Sequence, residues 1–252
     1  MDPAIWIIAL GAVLAGFVQG LSGFGFGLTA LSVWAWALDP QLAAVLSVFG
    51  GLTGQVIAAF SMRRGFNWAL LLPFLVGGLV GIPLGVVLLP ALNVALFKLM
   101  LGLFLAVWCP LALFARNLPP VTFGGRIADG VMGLIGGVMG GLGGFTGAVP
   151  TLWCTLRRMD KDTQRAIIQN FNLATLTATM AAYLFSGMVT VDMLPSLGLV
   201  ALAVLVPVLV GARLYIGISE TRFRQIVLGL LTLSGIALVA SAAPELLGRY
   251  GG

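Results

Sequence analysis

The sequence predicts an all-α polytopic membrane protein made of two homologous halves. The halves form an inverted repeat, and each begins with a glycine-broken helix pair, re-entrant or discontinuous. Three observations carry this expectation. Sixty per cent of the 252 residues are hydrophobic and only 8% are charged, with a mean hydropathy of +1.11. A water-soluble domain of this size cannot cover itself with so little polar surface. Two apolar segments are too long for a single crossing and hold glycine clusters in their middles. The basic residues, finally, sort to one side of a membrane only if those clusters turn the chain back.

Taken in order, the apolar segments run about 4–38, 42–62, 68–89, 94–114, 127–156, 166–189, 193–218 and 223–243. Most are near the roughly 20 residues that span a bilayer. The first and fifth would reach on the order of 45–50 Å if helical throughout. The first contains Gly16, Gly20, Gly23, Gly25 and Gly27, and the fifth contains Gly133, Gly137, Gly140, Gly141, Gly143 and Gly144. Each interior glycine costs a helix about 1 kcal/mol against Ala. Backbone left bare in hydrocarbon has nothing to bond to, so such a break survives only under protein cover or beside a wet cavity. A shift of 117 pairs Gly16 with Gly133, Gly23 with Gly140, Thr29 with Thr146 and Trp36 with Trp153.

The breaks carry the charges. With eight simple crossings the 13 basic residues divide 5 against 8, which orients nothing. If each glycine cluster returns the chain to the side it came from, Arg63, Arg64, Arg116, Arg126, Arg157, Arg158, Lys161, Arg165, Arg213, Arg222 and Arg224 share one side. Only Lys98 and Arg249 remain on the other, a division of 11 to 2. That is the positive-inside pattern, and it puts the N-terminus outside. Each half then makes an odd number of net crossings, which opposes the two halves as in many secondary transporters. The halves are read as 1–115 and 127–252, joined by a linker over 116–126 that contains Pro119 and Pro120.

The remaining composition narrows function. The opening Met-Asp-Pro-Ala-Ile-Trp has no basic residue before its apolar run and does not read as a cleaved signal. The charge of +5 reads as topology, with no nucleic-acid partner. Cys109 and Cys154 lie in apolar runs and read as buried free thiols. No histidine is present, which removes the commonest metal ligand and proton shuttle. No metal or cofactor is expected, nor an enzyme. All eight acids sit at or near segment ends, so uniport and coupling through the substrate both stay open.

The glycine stretches carry the candidate site. Gly16, Gly20, Gly133 and Gly137 fit either close helix packing or the break itself, and Gly133→Ala is expected to cost little if packing is its only role. At the denser tips, Gly23, Gly25 and Gly27 in one half and Gly140, Gly141, Gly143 and Gly144 in the other, a following helix would aim free N–H groups and its positive end at a cavity. That makes an anion site without a buried cation. Thr29 and Thr146 would cap those helices or donate to the ligand. Arg165, Gln169, Asn170 and Asn172 would form a polar lane or bond between helices, with Gln19 and Ser22 as weaker members. Arg213 reads as a snorkelling residue. Trp34, Trp36, Trp68 and Trp153 read as interfacial anchors.

The glycine-rich entries at 16–27 and 133–147, with the Gly-x3-Gly segments that close each half, resemble the twin motifs of the sulfite exporter TauE/SafE family of membrane permeases. The likeness covers about residues 10–240. It implies export of small sulfur-containing anions, sulfite or organosulfonates, across the inner membrane, here by alternating access. Its partners would be a small anionic substrate and the lipid bilayer, and a homodimer is compatible with it. The alternative is an anion or cation channel with a backbone-lined pore.

Overall fold

The computed structural model describes residues 3–61, 65–214 and 220–250, with the side chains of 3, 61, 214, 220–224 and 245–250 outside the description. Ten α-helices follow one another: α1 Pro3–Ser22, α2 Phe26–Trp34, α3 Pro40–Ser61, α4 Trp68–Leu88, α5 Val94–Phe114, α6 Gly125–Gly143, α7 Ala148–Leu156, α8 Lys161–Phe185, α9 Leu194–Leu214 and α10 Glu220–Tyr250. There is no strand among the described residues. Among the described residues six helices are long and apolar enough to cross a membrane, namely α1, α3, α4, α5, α9 and α10. The multi-pass membrane character read from composition therefore stands.

The two long apolar segments each divide into a long helix and a nine-residue one. Backbone geometry gives the reason. After α1, Gly23 and Gly25 adopt φ of 77° and 92°, and after α6 Gly144 adopts 77°, values an L side chain rarely takes. Gly23 N–H closes onto Gln19 O at 2.7 Å and Gly144 N–H onto Gly140 O at 2.8 Å, which ends each long helix in a left-handed cap. The chain then folds back. Trp34, at the end of α2, donates its indole N–H to Ile7 O at 3.1 Å, and Trp153 on α7 donates to Asp129 Oδ1 at 2.7 Å.

These two tryptophans are therefore not interfacial anchors. Trp34 and Trp153 are buried because their short helices turn the indoles onto the preceding long helix, whereas Trp36 and Trp68 are exposed. A shift of 121 pairs residues of the two halves as well. The capping glycines Gly23 and Gly144 stand 121 apart, as do Gly16 and Gly137, Gly20 and Gly141, and Asp39 and Asp160. Asp39 Oδ1 accepts from the N–H groups of Gln41 and Leu42 at 3.0 Å to start α3. Asp160 Oδ1 accepts from Thr163 at 2.9 Å to start α8. Glycines spaced by four match themselves one turn out of step, and that is how 117 arises.

Across the molecule, α1 packs on α9, α6 on α4, α5 on α10, and α3 and α8 cross in the middle. The α4–α6 contact is backbone against backbone. A Cβ on Gly133 would lie 2.2 Å from Phe74 O, on Gly137 2.1 Å from Gly78 O, and on Gly81 2.1 Å from Leu134 O. These are packing glycines. An alanine at Gly133 would collide with main chain, so it is not a cheap substitution.

Candidate functional site

The two tips meet at the centre. A Cβ on Gly27 would lie 2.9 Å from the carbonyl carbon and oxygen of Gly144. Side chains from other helices hold the carbonyls that the breaks leave open. Gln55 Nε2 donates to Gly23 O at 2.9 Å, Ser47 Oγ to Gly143 O at 2.6 Å, and Tyr183 Oη to Gly141 O at 2.8 Å. Ser22 Oγ donates to Phe24 O as well as to Val18 O. Hydrocarbon could not satisfy these groups, and this buried polar collar does.

A cavity of about 160 Å³ lies to one side of the first tip. Its rim carries Arg116, just beyond α5, with Lys161 and Arg165 from the first turns of α8. Arg116 and Lys161 are exposed and Arg165 is half-buried. Deeper in, the wall comprises Ser22 and the tip Gly23–Gly25, with Thr29 of α2, Trp108 of α5, Thr151 of α7 and Gln169 of α8. Three polar atoms there are shut off from solvent without a hydrogen-bond partner: Thr29 Oγ1, Thr151 Oγ1 and Trp108 Nε1. Unpaired buried groups of this kind cost about 1–3 kcal/mol each, and Gln19 Oε1 and Thr179 Oγ1, away from this cavity, are unpartnered too. An indole N–H can only donate and each hydroxyl can donate, so what binds must offer acceptors.

The two threonines are counterparts. Each is the fourth residue of its short helix, and each bonds its N–H back to the glycine before the helix, Thr29 to Gly25 O at 3.1 Å and Thr151 to Gly147 O at 3.0 Å. The first turns of α2 and α7 thus bring one hydroxyl apiece to a single space. Thr146, paired with Thr29 by the shift of 117, instead donates to Asn172 Oδ1 at 2.8 Å.

The sequence-predicted site residues separate into three groups. Ser22, Gly23, Gly25, Thr29, Arg165 and Gln169 line the cavity. Gln19, Gly144, Thr146 and Asn172 line a second void of about 10 Å³ between the tips, which Gly25 also borders. Gly27, Gly140, Gly141, Gly143 and Asn170 line neither. Asn170 Nδ2 donates to Gly65 O and Ala166 O at 3.0 and 2.8 Å, fastening α8 to the loop before α4. Sequence reasoning missed Arg116, Trp108, Thr151 and Lys161 as wall residues. It also missed Arg157, whose Nη1 contacts both oxygens of buried Asp129 at 2.7 and 2.9 Å.

A family model for the sulfite exporter TauE/SafE matches residues 8–238. The chain belongs to that family. No curated protein and no solved structure matches it. The family is one of membrane exporters, so the chain is a membrane transporter by kinship.

Proposed function

We propose that this TauE/SafE protein exports small sulfur-containing anions, sulfite or organosulfonates, across the bacterial inner membrane by alternating access. The observation that carries the reading is one cavity lined by Thr29, Thr151 and Trp108, three residues with unpartnered donors. The first-turn amides of α2, beside the same space, add the positive end of a helix. Arg116, Lys161 and Arg165 would gather anions at the mouth.

An inverted repeat over 1–115 and 127–252 fits the helix packing. Exchanging α1–α5 with α6–α10 carries the α1–α9 contact into α6–α4, the α3–α9 contact into α8–α4, and the α5–α10 and α3–α8 contacts into themselves. The offset of 121 holds from the caps Gly23 and Gly144 to the starts of α3 and α8. With the basic rim facing the cytoplasm, the N-terminus is periplasmic and the cavity opens inward.

Replacing Thr29 with Val, Thr151 with Val, and Trp108 with Phe should each weaken sulfite and ethanesulfonate binding to the purified protein by about fivefold to a hundredfold. Replacing Thr177, whose hydroxyl is bonded to Leu173 O on the outer face of α8, should not. If all four variants bind alike, the cavity is not the anion site.

A further inference from the structure

Resting on that reading, the rest of the cavity wall says which anion fits. Beyond the donors the lining is apolar: Leu28, Leu152 and Ile168 on one side, Val227, Leu228 and Leu231 of α10 on the other. The three α10 residues fall on one face of that helix, and Leu228 and Leu231 are each only 6% exposed. At about 160 Å³ the cavity has room on the order of ten water molecules, since one needs about 10–15 Å³ on the same measure. A bare three-oxygen anion would occupy the donor end and leave the leucine end wet. No Asp or Glu lines the cavity among the described residues, so a positive group on the ligand would meet no opposite charge.

We propose that the site selects organic monoanions with a three-oxygen head and an apolar body, alkyl or aryl sulfonates, over sulfite and over aminosulfonates. Thr29, Thr151 and Trp108 come from three separate helices and can address one head oxygen each. The body lies along Val227, Leu228 and Leu231, where water is displaced from apolar wall on both sides.

Calorimetric titration of the full chain in nanodiscs with methane-, ethane-, propane- and butanesulfonate, sulfite and 2-aminoethanesulfonate tests this. Affinity should rise about threefold to fourfold per added methylene, and sulfite and 2-aminoethanesulfonate should bind at least tenfold more weakly than ethanesulfonate. Leu228→Asn and Leu231→Asn should flatten the chain-length series while leaving methanesulfonate within about twofold. The series in the unaltered protein decides the matter even if those variants do not fold. A flat series whose members all still depend on Thr29 and Thr151 would overturn the apolar-body inference and leave the anion site standing. Binding of none of these anions, or binding indifferent to both threonines, would overturn both.

Discussion

The two hairpins, α1–α2 and α6–α7, share one construction and live in different surroundings. Both end a long helix in a left-handed glycine, fold a nine-residue helix back, and pin it with a tryptophan. The first is held by one neutral bond, Trp34 to Ile7 O, and its tip borders the cavity. The second is held by an ion pair beneath its tryptophan. Trp153 and Arg157 both reach the carboxylate of Asp129, whose side chain is 3% exposed against 26% for Arg157. Its tip is packed, with Val48 main chain 3.1 Å from where a Cβ on Gly144 would stand. Both hairpins reach the cavity, the first with its tip and Thr29, the second only with the flank of α7 at Thr151 and Leu152.

Equivalent glycines give the strongest way to break this comparison. Gly137 has Gly78 O 2.1 Å from its missing Cβ, whereas the nearest atoms to its counterpart Gly16 are Val204 main chain and Pro207 at 3.4–3.5 Å. Gly137→Ala should destabilise by about 2–3 kcal/mol or prevent a folded product altogether, and Gly16→Ala by less than about 1 kcal/mol. Thermal melts of detergent-solubilised protein would measure both, and equal losses would mean that the two long helices are packed alike.

Asp129→Asn comes next. Removing the charge leaves Arg157 without its partner in a half-buried place, and about 2 kcal/mol should be lost. Trp34→Phe, which removes only a neutral bond in the first hairpin, should cost about 1 kcal/mol. If Trp34→Phe proves the costlier, the second hairpin is not the one more firmly fastened.

The smallest effect concerns the caps. Backbone N–H groups, Thr163 foremost, hold the Asp160 carboxyl below its ordinary value. A group lowered on folding contributes stability above its unfolded pKa and loses it as pH falls through the folded one. The unaltered protein should therefore soften slightly below about pH 4, and Asp160→Asn, which can still cap α8, should lack that component. A melting profile from pH 3 to 6 would check it, and an identical slope in both proteins would remove Asp160 from the account.

Much of this arrangement was legible in the chain. Apolar runs marked the helices, and the glycine clusters marked where the first and fifth runs divide. The register was harder. Glycines every fourth residue serve the α4–α6 packing, and a stripe of that kind aligns with itself one turn away, so only the capping φ values and the paired Asp39 and Asp160 fix 121. The cavity was harder still. Thr29 and Thr151 can be matched only once the starts of α2 and α7 are known, and Trp108 and Arg116 come from α5 and the turn just beyond it, where an indole or guanidinium looks like any interfacial residue. Nothing local in a sequence separates a satisfied donor from an orphaned one.

The meeting of Gly27 with Gly144 also has an electrical consequence. If water fills the cavity from its cationic mouth, the membrane voltage would fall across the protein between the tips and the far side. A monoanion crossing that stretch would traverse most of the field, worth about 2.3 kcal/mol per charge at 100 mV. With the interior negative, that work favours outward movement. Efflux through this protein should then quicken with hyperpolarisation, even though no carboxylate lines the cavity among the described residues.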